Sequence, residues 1–229
     1  INERRHRLHE VVRLSGMNII VDDDDFPLII KVASLPGARL QVYFLDNDDF
    51  FKRKSVFEDA KGKPFDDNAD RSVFFCKGVL ETVKKFGWAP DVVHCHGWMT
   101  SLVPLYIKTA YKNEPLFRDS KVVYSVYDNA LTDGFGDEFL SKASINSLTE
   151  DDLSNYKIDG KIEVHGGAAS FADALIVGSE SLIGAETEAL KEKGKPVLEF
   201  VDTEPKVYLP AYMEFFKSLI DPKDEDEEE

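Results

Sequence analysis

The chain has 229 residues, 43% of them apolar and 31% charged, with a net charge of −15 at pH 7. That length suits one large α/β domain or two small ones. No apolar run approaches the ~18–20 residues that span a bilayer, and a body this acidic does not wrap nucleic acid or anionic lipid, where affinity comes from neutralising phosphates.

Only Cys76 and Cys95 are present. Two cysteines do not make a disulfide framework, and a reducing cytoplasm is the simpler setting. The polar start, Ile1-Asn2-Glu3-Arg4-Arg5, has no signal-peptide pattern. It also lacks an initiating Met, so the sequence reads as a fragment or a processed product.

In chain order, Arg4–Arg13 reads as a basic helix with His6 and His9 at i, i+3 on a solvated or domain-facing surface. Leu28–Ala33 and Arg39–Leu45 are strand-like runs separated by a Pro36-Gly37 turn, which predicts an antiparallel hairpin. Ala69, Val73, Cys76, Leu80 and Val83 mark one face of a helix. Asp91–Cys95, Lys121–Tyr127, Ala174–Gly178 and Pro196–Phe200 are short strand candidates, with further helices at Glu180–Lys193 and Lys206–Leu219. The last of these is apolar enough, through Val207, Tyr208, Leu209, Tyr212, Phe215, Phe216 and Leu219, to cover the domain or a partner. Pro205 and Pro210 bound where it can be regular.

Residues 130–160 show no sustained period, and Asp133-Gly134-Phe135-Gly136 and Asp159-Gly160 mark loops there. Residues 221–229 form an acidic low-complexity tail with nothing to bury, expected to be disordered. Residues 1–220 are therefore read as one domain. Apolar strands alternating with amphipathic helices predict an α/β fold: a doubly wound, mostly parallel sheet covered on both faces, with a β-hairpin near its start.

The most informative stretch is Asp91–Pro104 (DVVHCHGWMTSLVP), which reads as strand, tight loop, helix. Proline is tolerated in a helix's first turn, so Pro104 places the helix start near Thr100 or Ser101, either of which can cap it. His96 then falls at the carboxyl end of a parallel strand, where ligands bind in open α/β sheets. An imidazole there can donate to a sugar hydroxyl or a phosphate. His94, inside the strand, reads as a buried, hydrogen-bonded core histidine, and Trp98 as packing rather than a sugar platform. His94 and His96 face the same way, so a metal pair is conceivable, but no third ligand stands at a recognised spacing.

These residues resemble a known family. Asp91–Pro104 is similar to the DVVHxHDWxxxLxP segment of bacterial glycogen synthases and plant starch synthases. Asn2–Met17, Asp67-Asn68-Ala69-Asp70-Arg71 and Phe171–Ser179 (similar to YADxVxTVS) support the likeness, which runs over most of residues 1–200. It is closest to short bacterial glycogen-synthase-like proteins.

The resemblance implies the amino-terminal half of a GT-B fold, in which two Rossmann-like domains face across a cleft. It implies transfer of glucose from ADP-glucose to the non-reducing end of an α-1,4-glucan, with retention and without a metal or other cofactor. His96 matches the family histidine that contacts the donor glucose, while Asp91 and Arg71 match recurring positions that read as structural. In GT-B relatives the terminal helix crosses back onto the amino-terminal domain.

The sequence departs from the pattern at three places. The family carboxylate after the histidine is Gly97 here. The histidine of its TxHN strand end is Tyr127, in Ser125-Val126-Tyr127-Asp128. Nothing like the Lys-x-Gly-Gly-Leu phosphate loop occurs. After Phe200 only about one helix and the tail remain, so the nucleotide-holding second domain is expected to be missing.

Candidate substrate-binding residues are thus His96, Gly97 and Tyr127, with no catalytic residue and no metal ligand assigned. One reading is a glucosyltransferase half, inactive alone, that needs a second chain or a homodimer to complete its cleft. The other is a non-catalytic glucan- or sugar-nucleotide-binding module or a protein scaffold. A metal-dependent hydrolase using His94 and His96 is a third class, with an incomplete ligand set.

Overall fold

The computed structural model describes residues 8–35, 37–38, 40–128, 135–136 and 138–221. Its first half is an antiparallel sheet. Strands β1 (His9–Glu10), β2 (Met17–Val21) and β4 (Gln41–Asp46) all pair with the long β3 (Asp24–Ser34). The predicted hairpin is β3–β4, in register from Ile29↔Asp46 to Ser34↔Gln41. β2 was not expected. Its pairing with β3 closes through a tight turn in which Asp22 takes φ +55°, a conformation that short polar side chains tolerate. Alternation decides the faces: Ile19 and Val21 of β2 and Leu28 and Ile30 of β3 are buried, whereas Asn18 and Ile20 are exposed.

The basic helix expected over Arg4–Arg13 is corrected in its described part. His9 lies in β1, opposite Val32, because the chain gains ladder hydrogen bonds on the open edge of β3. His6 lies outside the described residues.

A short helix, α1 (Asp48–Phe51), is capped by Asn47, whose side chain accepts from the amides of Asp49 and Phe50. The long helix α2 (Asn68–Phe86) buries Ala69, Val73, Cys76 and Leu80, the face the sequence period marks, and leaves Val83 half-buried. Gly87 ends it in the left-handed conformation, its amide donating to the carbonyls of Val83 and Lys84. Gly78 lets α2 approach the antiparallel sheet closely, since a Cβ there would come within 2.9 Å of Leu45. On its other side the buried Cys76 thiol donates to the Met99 carbonyl.

The second half is the parallel sheet. β5 (Val92–His96) leads through a single 3-10 turn (Trp98–Thr100) into α3 (Leu102–Lys108) and then β6 (Lys121–Val126). Neither expected cap acts as one. The Thr100 hydroxyl donates to the Gly97 carbonyl, and Ser101, which precedes α3, makes no side-chain capping bond.

The insert that showed no period is ordered where it is described. α4 (Phe139–Ala143) and a 3-10 stretch (Glu150–Tyr156), closed by a Thr149–Asp152 capping box, precede the two-residue strands β7 (Lys157–Ile158) and β8 (Lys161–Ile162). Asp159 and Gly160, both at positive φ, turn that small hairpin as expected. Phe139, Leu153 and Tyr156 are fully buried, so the insert is part of the core. Asp133 and Gly134 of the expected loop lie outside the described residues.

α5 (Val164–Phe171) and β9 (Ala174–Val177) follow. Lys195 closes the carboxyl end of α5 by donating to the carbonyls of Ala169, Ser170 and Ala172. The helix expected over Glu180–Lys193 is interrupted by Gly184 (φ +111°) and regular only as α6 (Ala185–Lys191). β10 (Val197–Leu198) completes the sheet order β10-β9-β6-β5, all parallel.

The last helix, α7 (Pro205–Ile220), has Pro205 at its first turn. It runs straight through Pro210 rather than being bounded by it. α2, α3 and α5 surround one face of the parallel sheet, with Val122, Tyr124 and Leu175 in the shared core. α7 lays Tyr212, Phe215, Phe216 and Leu219 on the other, over Val123, Ala174 and Ile176. Burial on both faces is why these strands read as continuous apolar runs. Both cysteines are free and buried. Among the described residues no helix is long and apolar enough to cross a membrane.

One contact tests the seating of the insert. A Cβ on Gly167 of α5 would lie 2.3 Å from the ring of Tyr156, which is pinned by its hydroxyl donating to the Ser101 carbonyl. Alanine is the better helix former by about 1 kcal/mol, yet overpacking wins here. Gly167→Ala is expected to lower stability by about 2 kcal/mol in urea unfolding; unchanged or raised stability would show that Tyr156 can give way.

Candidate functional site at the carboxyl edge of the parallel sheet

The parallel register aligns the ends of three strands. His96 stands opposite Ser125, and Val126 opposite Val177, so His96, Tyr127 and Gly178 emerge together at the carboxyl edge. His96 Nδ1 and the Tyr127 hydroxyl are 2.8 Å apart. In the tautomer with its proton on Nε2, His96 accepts from Tyr127 and keeps an N–H donor for an incoming group. The Tyr127 ring rests on Gly178, where a Cβ would come within 2.6 Å of it. The turn after β5 needs a glycine too: Gly97 has φ +67°. Its carbonyl accepts from the hydroxyls of Tyr124 (3.1 Å) and Thr100 (3.1 Å), and its amide donates to the Ser125 carbonyl. Gly97 thus contributes to the site as backbone.

His94 sits behind His96, with ring centroids 3.9 Å apart. Its Nε2 pairs with the Ser125 hydroxyl at 2.8 Å, and the rings of Tyr212 and Phe216 close around it. Burial, reinforced by His96, pulls its pKa from 6.5 down to about 3, so it is a neutral support. The outer edge of His96 is exposed, but its inner side is packed, and burial lowers its pKa as well. Burial raises the Tyr127 hydroxyl, and the Ser125 hydroxyl opposes that rise. Among the described residues no cation or carboxylate shifts His96, Tyr127 or His94. The site is a neutral array of hydrogen-bonding groups.

Trp98 is buried against Phe57 and Phe135, packing as expected. Arg71 is buried too, donating to the Phe50 carbonyl and to Asn68, which makes it structural. Among the described residues no group of three His, Cys, Asp or Glu gathers to hold a metal.

Sequence reasoning missed Ser125, Gly178 and the pair of Tyr124 and His165, whose hydroxyl and Nδ1 are 2.7 Å apart. Ser125 was readable, since it lies two residues before Tyr127 and shares its strand. His165 gave no signal, because it arrives from α5.

The family model for the starch synthase catalytic domain matches residues 1–193. The chain belongs to that family. Glycogen synthase of Pelodictyon phaeoclathratiforme is 42% identical over 129 residues, which are 56% of this chain and 26% of that protein. Glycogen synthase of Chlorobaculum tepidum is 42% identical over the same length and shares. This starch synthase family member therefore spans about a quarter of the length of the curated relatives it matches. The catalytic domain of starch synthase IV from Arabidopsis thaliana, solved bound to ADP and acarbose, superposes with a TM-score of 0.61 at 17% identity, covering 84% of this chain and 40% of that one. That likeness shows the fold, a part of the GT-B architecture expected from the sequence.

The support role of His94 has a measurable sign. Unfolded, this histidine takes up a proton below about pH 6.5; folded, it resists one down to about pH 3. Its contribution is therefore complete above the upper value and is lost as pH falls through the window, at up to about 1.4 kcal/mol per pH unit. Urea unfolding between about pH 7 and pH 5 is expected to show a smaller acid loss for His94→Gln than for the wild type. Equal losses would mean that folded His94 accepts the proton.

Proposed function

We propose that this starch synthase family domain binds glucosyl units at its carboxyl edge, as the sugar-binding lobe of a glucosyltransferase that draws on ADP-glucose and an α-1,4-glucan. The observation that carries this reading is the neutrality of the site. His96 and Tyr127 offer hydrogen-bonding groups without a charge between them, on a turn that the Gly97 backbone holds. Sugar hydroxyls are satisfied by such groups, while a diphosphate needs cations or a cradle of amides. The family resemblance supplies the substrate class, and the place of His96 in its motif supplies the contact.

Electrostatic stabilisation of the leaving group is usually the largest catalytic contribution in group transfer. Among the described residues no cation acts on His96 or Tyr127, so this domain by itself is proposed to bind sugar without turning it over. A partner chain or a second copy that brings cations to the cleft would complete the reaction. The binding-module reading is favoured by Gly97 and Tyr127, which stand where the family pattern has a carboxylate and a histidine.

Calorimetric titration separates sugar from phosphate recognition. Maltoheptaose is expected to bind, and His96→Ala to weaken it about tenfold, the worth of roughly one hydrogen bond to a neutral group. The melting temperature should barely move, since the imidazole edge is exposed. ADP alone is expected to bind more weakly than about 1 mM, and ADP-glucose with glycogen to release no ADP. Tight ADP binding by this chain alone would overturn the proposal.

A further inference from the structure

The family match ends at residue 193, and α7 begins at Pro205. Yet α7 reaches the same edge as His96. Phe216 packs on His94, with ring centroids 5.3 Å apart. One turn earlier, the Tyr212 ring meets His94 at 5.7 Å, and its hydroxyl, raised by burial, interacts with the Ser125 hydroxyl. A further turn earlier, Tyr208 stands edge-on to Tyr212 at 5.5 Å. Successive turns of α7 thus carry a ladder of rings from His94 through Tyr212 to Tyr208. Tyr208 and Tyr212 are both only half-buried, unlike the other large side chains that seal the core, such as Tyr106, Tyr124 and Tyr156.

We infer that Tyr208 and Tyr212 form the aromatic wall of the sugar site, supplied in cis by a helix outside the family region. The inference rests on the proposed function and adds binding residues to it. A pyranose has an apolar face and a polar rim. A tyrosine offers a flat apolar ring to the first and a hydroxyl to the second, at a low cost in side-chain entropy. With His96 and Tyr127 on one side and the α7 tyrosines on the other, a glucosyl unit is gripped by hydrogen bonds and by stacking at once. α7 thereby both seals the Val123–Ala174–Ile176 face and shapes the site at its upper end.

Maltoheptaose is titrated into the full chain, comparing wild type with Tyr208→Ala, Tyr212→Ala, Tyr212→Phe and Met213→Ala, the last an exposed position on the same helix. Both alanine variants at the tyrosines are expected to weaken binding about tenfold, Tyr212→Phe by no more than about threefold because the ring stays, and Met213→Ala not at all. Tyr212→Ala also removes packing, so the wild type provides a second measurement: maltoheptaose should slow nitration of Tyr208 and Tyr212 by tetranitromethane. If wild type binds the sugar and His96→Ala loses it, while the tyrosine variants bind normally and nitration is unprotected, the wall is wrong and the sugar site stands. If wild type gives no heat with maltoheptaose, the functional reading fails and the wall falls with it.

Discussion

The hydrogen bond between His96 and Tyr127 exists because β5 and β6 run parallel in one register. Parallel pairing sends both strands out at the same edge, and His96↔Ser125 pairing leaves Tyr127 one step beyond the ladder, level with the end of β9. Two glycines then make the arrangement fit. Gly178 leaves room for the Tyr127 ring to lie down, and Gly97 turns the chain at a positive φ, so that its carbonyl is buried on Tyr124 and Thr100. A slip of one residue would point His96 (in β5) or Tyr127 (after β6) to the opposite face and undo the site.

Charge, or its lack, decides what this edge can recognise. The protein is strongly acidic, yet burial keeps the two histidines neutral and the tyrosine protonated. Several charged residues pair away from this edge. Arg53 pairs with Asp67 at the start of α2, Lys142 with Asp70, and Lys108 with Asp173, where they fix helices to their neighbours. The carboxyl edge around His96 is left to polar groups of modest strength. Such groups suit reversible contact with a neutral polymer better than capture of a nucleotide.

The antiparallel half and the insert act as scaffolding for this edge. α2 is clamped between the two sheets, with Gly78 against Leu45 on one side and Cys76 against the Met99 carbonyl on the other. The insert holds the helix that follows the His96 turn. Tyr156 donates to the Ser101 carbonyl and Tyr106 to the Ala143 carbonyl, both fully buried. The buried turn bearing Gly97 and Trp98 is thereby fixed in place, while His96 just before it stays exposed.

Much of this was legible in the amino-acid order. The hairpin, the buried face of α2, the four parallel strands and the position of His96 at a strand end follow from period, turn residues and the placement of Pro104, because those signals come from residues close along the chain. β2 escaped notice because its short alternation of buried and exposed residues abuts four aspartates. The folded insert escaped because its order comes from burying Phe139, Leu153 and Tyr156 under other helices, not from a period of its own. The same limit applies at the site. The sequence by itself put His94 and His96 on one side of a strand. Only the tertiary structure decided that His94 stays uncharged, that Tyr127 rests on Gly178, and that α7 returns to bring Tyr212 against them, since each depends on which distant side chains share a desolvated space.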